Sequence, residues 1–266
     1  MSSTRTESLS GGDRLSLQAY VNRPWLPGST QQAVGRCPSV RTYFGKGAFI
    51  SDCCQAGDYD EVFTPRAAAK RAARFRRRGL TGSAQIVVAT LTRLGPGRMS
   101  LLEVGGGVGE IQIALLENGA AGTSINVDLS SNWEAAALDL ISERSLRGRV
   151  TRITGDFVRE ASELPKADAV ILHRVVCCYP DWQGMLIAAA SRADRFVAVT
   201  FPRPRPWFRG IVTLENAFNR LRRSAFRAFI HPPEGMVDLL RSLGFPTVAD
   251  HQDLVWRTVV AERQAY

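Results

Sequence analysis

The sequence predicts an α/β fold, a doubly wound and mostly parallel sheet of seven strands with a helical cap at its amino end. Three observations predict it. The first is Leu101-Leu-Glu-Val-Gly-Gly-Gly-Val-Gly109, an apolar run that turns through glycines and leads directly into a helical pattern at Glu110. The second is the alternation, from residue 100 onward, of short apolar runs with stretches of helical period. The third is a pair of short apolar segments near the end of the chain, placed to close such a sheet with an antiparallel hairpin.

Taken in order, residues 1–40 are rich in Ser, Gly, Pro and Gln and lack apolar periodicity, so they are read as a disordered lead-in. Residues 41–95 are read as the helical cap, with helices over 65–78 and 83–94. The main domain is expected over 96–266. Its strands fall near 100–104, 124–128, 150–153, 169–172 and 196–200, separated by helical patterns at 111–118, 133–144 and 182–193. An insertion over 201–231 bears prolines, aromatics and arginines. A helix over 233–243, stopped by Gly244, then precedes strands near 247–249 and 255–261.

The glycine turn carries the first chemical signal, because missing side chains let backbone N–H groups approach a ligand where a helix begins. A dinucleotide fingerprint would need a further glycine at 110 or 112, but Glu110 and Gln112 stand there, and no Lys-Ser or Lys-Thr follows to make a phosphate loop. The pattern present is E-x-G-x-G-x-G, carried by Glu103, Gly105, Gly107 and Gly109. It resembles motif I of the class I S-adenosylmethionine-dependent methyltransferases, which implies a Rossmann-like methyltransferase fold with S-adenosyl-L-methionine as cofactor. A sulfonium cofactor carries positive charge and no phosphate, so a carboxylate at the loop suits it. A tight strand-to-helix turn that binds nothing is the alternative.

Two later strand ends fit the same resemblance. Thr123-Ser-Ile-Asn-Val-Asp128 reads as a second strand ending in a carboxylate able to accept two ribose hydroxyls. After the third strand, Gly155-Asp156-Phe157 resembles the family's adenine-edge loop, with Asp156 accepting from the exocyclic amine and Phe157 covering the ring. Taken singly, both aspartates are also read as solvated loop carboxylates.

Substrate chemistry is expected at the carboxyl ends of the strands. After the fourth strand the chain reads His173-Arg-Val-Val-Cys-Cys-Tyr-Pro-Asp-Trp182. Its V-x-x-Y-P segment, the segment Val40-Arg-Thr-Tyr-Phe44 with Gly47 and Phe49, and Phe226-Arg-Ala-Phe-Ile-His231 are together similar to magnesium-protoporphyrin O-methyltransferases. That family places a histidine before the Tyr-Pro and uses a tyrosine in its cap. Here Cys178 precedes Tyr179, and Phe63 stands nearest the cap position. The resemblance leaves His173, Tyr179 and His231 as catalytic candidates, with His173 the best general base; each histidine is equally readable as a hydrogen-bonded structural residue. Trp182, Trp207, Phe208, Phe218, Phe226 and Phe229 suggest an apolar acceptor pocket or core packing.

Methyl transfer to an activated sulfonium needs mainly alignment and desolvation, and a base only for a neutral acceptor. The expected activity is therefore methylation of a small molecule, O-methylation of an aromatic or carboxyl-bearing metabolite. An RNA-directed methyltransferase, a dinucleotide-dependent oxidoreductase and a non-catalytic adaptor are the alternatives on this fold.

The net charge of +9 points to an anionic partner or to solubility alone. The basic run over 66–78 reads as a solvated helix face, with no zinc-finger or RNA-recognition signature beside it, which argues against nucleic acid and leaves peripheral membrane contact open. No apolar run approaches the ~20 residues of a membrane span, and no signal peptide opens the chain, so a cytoplasmic location is expected. The five cysteines lack C-x-x-C spacing and are read as reduced thiols; an alternative brings Cys53/Cys54 and Cys177/Cys178 together around a metal, although none is assigned. Oligomeric state is not legible.

Overall fold

The computed structural model describes residues 59–95 and 97–264. The lead-in expected over 1–40, the segment Val40 to Phe49 and the cysteines Cys37, Cys53 and Cys54 lie outside the described residues.

Among the described residues, two helices precede the sheet. α1 (Pro65–Arg78) begins where the Thr64 hydroxyl accepts the Ala67 N–H at 3.2 Å, and it ends at Gly79, whose φ of +63° a side chain would strain. Ala68, Ala72 and Phe75, at helical spacing, form its buried stripe. α2 (Ser83–Leu94) buries Ala84, Val87 and Leu91. These side chains share one hydrophobic cluster with sheet residues such as Leu101, Ile171 and Phe196.

The sheet has seven strands in the order β3-β2-β1-β4-β5-β7-β6. They are β1 (Met99–Val104), β2 (Ala121–Asp128), β3 (Val150–Thr154), β4 (Ala167–His173), β5 (Ala193–Pro202), β6 (Thr247–Gln252) and β7 (Trp256–Glu262). β7 runs antiparallel to both neighbours, pairing Val199 with Val259, while β1 to β5 are mutually parallel. β1, β4 and β5 are covered on both faces and so read as continuous apolar runs. The intervening helices are α3 (Glu110–Glu117), α4 (Glu134–Glu143), α5 (Phe157–Glu160), α6 (Trp182–Arg192), α7 (Pro206–Leu221) and α8 (Pro233–Ser242).

The span expected as an insertion, 201–231, contains the end of a strand and a long helix. β5 continues to Pro202, and α7 follows within four residues. Prolines 202, 204 and 206 mislead here, because Pro206 occupies the first helical turn, where no N–H is needed. No helix among the described residues is long and apolar enough to cross a membrane.

The chain winds outward from β1 in one direction through β2 and β3, and in the other through β4 and β5. A crevice therefore opens where the order reverses, at the carboxyl ends of β1 and β4. Val104 and His173 end those strands.

Candidate active site

The turn after β1 is built by glycine. Gly105, Gly107 and Gly109 adopt φ of +62°, +61° and +80°, a region costly for any residue with a Cβ. Close approach adds a second requirement, since a Cβ on Gly105 would come within 2.5 Å of Val175 Cγ2. Beneath Gly106 lie the side chains of Asn126 and Glu103. The Asn126 amide donates to Glu103 Oε2 at 3.4 Å, and burial pushes the Glu103 carboxyl up to about 7.

Asp128 closes β2 beside this turn. Its Oδ2 accepts the Gly107 N–H at 2.9 Å and its Oδ1 accepts the Ser130 N–H at 3.1 Å. Each oxygen keeps a lone pair beyond these bonds. Burial raises the Asp128 carboxyl above its ordinary value, and the two amides oppose that rise.

A cleft of about 680 Å³ opens in front. Gly105, Asp128, Asp156, Phe157, His173 and Tyr179 line it. Phe63 and Trp133 lie on its apolar side with ring centroids 5.6 Å apart, and Tyr59 stacks beside Phe63 at 6.3 Å. Phe226 meets Tyr59 and Phe63 edge-on behind them, at 5.8 and 5.9 Å. The Tyr59 hydroxyl donates to the Cys178 carbonyl at 2.7 Å.

Asp156 caps α5 by accepting the Val158 N–H at 3.0 Å. It also accepts the Tyr179 hydroxyl, at 3.2 Å to Oδ2 and 3.3 Å to Oδ1. Burial, followed by the Asp156 charge, raises the Tyr179 pKa, so its hydroxyl stays a neutral donor.

His173 is buried at the end of β4, with Nε2 2.9 Å from Ser83 Oγ. That oxygen also accepts from Arg174, Nε at 3.1 Å and Nη2 at 2.8 Å. A hydroxyl has two lone pairs and one proton. The guanidinium occupies both lone pairs, so the proton points to His173 Nε2 and leaves Nδ1 as the protonated ring nitrogen. Burial, then Arg174 and Arg71, lower the His173 pKa to about 3. The nitrogen that a general base would use is thus engaged with Ser83 Oγ, and burial suppresses its affinity for a proton.

His231 does not line the cleft. It shares its Nε2 proton between the Tyr179 and Val176 carbonyls, at 2.9 and 3.1 Å, and stacks on Phe229 with centroids 5.5 Å apart. It fastens the turn that carries Cys178 and Tyr179. Glu103, Gly107 and Gly109 also sit off the cleft wall and build the loop behind it.

Arg174 has no signal in the sequence beyond its place directly after a strand. Its backbone φ is +59°, its guanidinium lies over the Trp256 ring at 4.3 Å, and no carboxylate among the described residues pairs with it. Burial, then Arg71, lower its pKa. It faces both the first cleft and a second of about 1030 Å³, whose other cations are Lys70, Arg71 and Arg74. Glu110, the carboxylate there, is taken by Arg71 at 2.8 Å and approached by Arg74 at 3.8 Å. The run over 66–78 is thus more than a solvated face, because Arg71 turns inward over Trp133 at 5.7 Å.

The family model for the O-methyltransferase domain matches residues 56–189, which run from before α1 into α6 and include the whole glycine turn. The chain belongs to the O-methyltransferase domain family.

Solved methyltransferases share its fold. Magnesium protoporphyrin IX methyltransferase from Synechocystis PCC 6803, with bound SAH, superposes with a TM-score of 0.59 at 22% identity, over 79% of this chain and 99% of that one. An O-methyltransferase family protein from Burkholderia thailandensis gives 0.57 at 18%, over 75% of this chain and 60% of that one. A family 2 O-methyltransferase from Planctomyces limnophilus, in complex with apigenin, gives 0.53 at 18%, over 74% and 62%. No curated protein sequence matches the chain.

S-adenosylmethionine is the cofactor of this methyltransferase, and its cleft fits the group. Gly105 presents bare backbone, and two aspartates retain acceptor capacity. Of the aromatics expected around an acceptor, Phe226 backs the cleft, Trp182 and Phe229 surround His231, and Trp207 and Phe218 are exposed on α7. Among the described residues no cluster of three His, Cys, Asp or Glu could hold a metal, and Cys177 and Cys178 are free thiols.

Proposed function

We propose that this methyltransferase transfers a methyl group to an oxygen of a small aromatic acceptor that carries a carboxylate. The observation that carries this reading is Arg174, a half-buried guanidinium without a carboxylate partner among the described residues, on the wall of a cleft that is aromatic opposite it. Ser83, Trp256 and the charge of Asp253 offset part of the cost of its burial, and an anionic ligand would relieve the rest.

Asp128 accepts the ribose hydroxyls, and Asp156 with Phe157 receives the adenine. When bound, the cofactor supplies a methyl group on a cationic sulfur. The protein's own residues then orient and exclude water: Phe63 and Trp133 cover the acceptor ring, Arg174 attracts its carboxylate, and Tyr179 keeps Asp156 in place. A carboxylate nucleophile needs no proton removed, which suits a cleft whose histidine is engaged. The free thiols suit a cytoplasmic setting.

The test is release of S-adenosylhomocysteine from S-adenosylmethionine with aromatic carboxylic acids and with their methyl esters. Turnover restricted to the acids, with KM raised at least about tenfold in Arg174→Gln and cofactor affinity unchanged, supports the reading. Equal turnover of acids and esters overturns it.

A further inference from the structure

α7 is a helix that the fold does not account for. It runs 16 residues, about 24 Å, yet Val212 is its one buried side chain. Helices in proteins owe most of their stability to a packed apolar face. Here the apolar face points outward. Trp207, Ile211, Leu214, Phe218 and Leu221 recur at steps of four, three, four and three, which places them in one stripe, and Leu214 and Leu221 are 72% and 81% exposed. An exposed stripe of this kind marks an interaction surface.

Charge decides what covers it. Exposed arginines crowd both ends of the helix: Arg205 and Arg209 at one, Arg220, Arg222 and Arg223 at the other. Between residues 203 and 231 the one carboxylate is Glu215. Arg222 lies over the Phe218 ring at 4.7 Å, beside the stripe itself. A second copy of this face would bring like charges together. The first 58 residues also carry more Lys and Arg than Asp and Glu, so they offer no complement. An apolar stripe between basic ends matches the surface of an anionic bilayer, where aromatic and aliphatic side chains enter the acyl boundary and arginines stay among the headgroups.

We propose that α7 docks this protein on anionic lipid surfaces. The helix is coupled to the segment behind the cleft's aromatic wall, because the Asn216 amide donates to the Ala228 carbonyl at 2.8 Å and accepts the Ala228 N–H at 2.9 Å. Ala228 lies two residues from Phe226, which backs Tyr59 and Phe63. Docking itself does not depend on the acceptor's identity.

The experiment is flotation of the full-length protein with phosphatidylcholine vesicles containing about one-third phosphatidylglycerol, and with pure phosphatidylcholine vesicles, at low and high salt. The expected result is binding to the anionic vesicles alone, weakened by salt. It should fall at least about tenfold in Leu214→Glu/Leu221→Glu while Leu138→Glu, an exposed leucine on α4, binds as the parent does. Calorimetry with S-adenosylhomocysteine on each variant reports folding of the cofactor site independently of lipid. No binding to anionic vesicles, equal binding to neutral ones, or a dimer in solution that Leu214→Glu/Leu221→Glu dissociates would overturn the proposal.

Discussion

Asp128 holds Gly107 by a 2.9 Å bond from the glycine amide to its Oδ2, so the end of β2 and the turn after β1 form one unit. Asp128→Asn keeps the shape but cannot accept both the Gly107 and Ser130 amides through oxygens. A hydrogen bond to a charged group contributes about 1.5–3 kcal/mol. Calorimetric titration with S-adenosylhomocysteine should show affinity at least about tenfold lower for Asp128→Asn, and none for Gly107→Val, whose side chain meets Arg71 and Trp133 at a positive φ. Unchanged affinity in Asp128→Asn would remove the carboxylate from the cofactor site.

Gly105 and Val175 make a second close pair, joining the loop after β1 to the loop after β4. Gly105→Ala meets both a φ of +62° and a contact of 2.5 Å with Val175 Cγ2. The two penalties are separable. Gly105→Ala should lower stability by about 2–4 kcal/mol in urea unfolding, and adding Val175→Ala should restore the steric part and leave the backbone part of about 1 kcal/mol. Simple additivity of the two substitutions would show that Val175 is not the obstacle.

The sheet was legible because its strands are buried on both faces and its helices on one, so period and β-branching mark them directly in β1, β4 and α1. Gly105, Asp128 and Asp156 were legible as cleft residues because each lies at or within two residues of a strand's carboxyl end. Glu103 sits one residue inside β1, and the pleat turns it behind the loop, which a motif does not show. Arg71 and Arg174 were missed for another reason. An arginine is read as solvated by default, and only tertiary packing reveals that Arg174 lies against Trp256 and Ser83. α7 was not assigned within the insertion because its prolines and exposed aromatics give no buried face at helical period.

Glu103 gives stability a pH dependence of defined sign. Burial holds its folded-state pKa at about 7, above its ordinary 4.5, so between these values the folded state keeps a proton that the unfolded state has lost. Its contribution is fully present below pH 4.5 and is lost as pH rises through about 7. Glu103→Gln stays neutral and can still accept from Asn126. Urea unfolding should therefore find the variant more stable than the parent at pH 8 by on the order of 3 kcal/mol, with the difference vanishing near pH 4. A constant difference across that range would show that Glu103 titrates in the fold as it does in the unfolded chain.

His173 acts in the opposite sense. Its folded-state pKa of about 3 lies below the ordinary 6.5, so on acidification the unfolded state takes up a proton first. Stability is then complete above pH 6.5 and falls as pH drops toward 3. His173→Gln retains an acceptor for the Ser83 hydroxyl without a titrating ring, and should flatten this limb in thermal melts between pH 4 and 7. Turnover supplies the sharper check. With Nε2 committed to Ser83 Oγ at 2.9 Å, the rate should show no inflection owed to His173 between pH 5 and 8, and His173→Gln should keep kcat within about threefold of the parent. A loss of about a hundredfold in kcat with cofactor affinity intact, together with disappearance of an inflection seen in the parent, would return the proton-accepting role to this histidine.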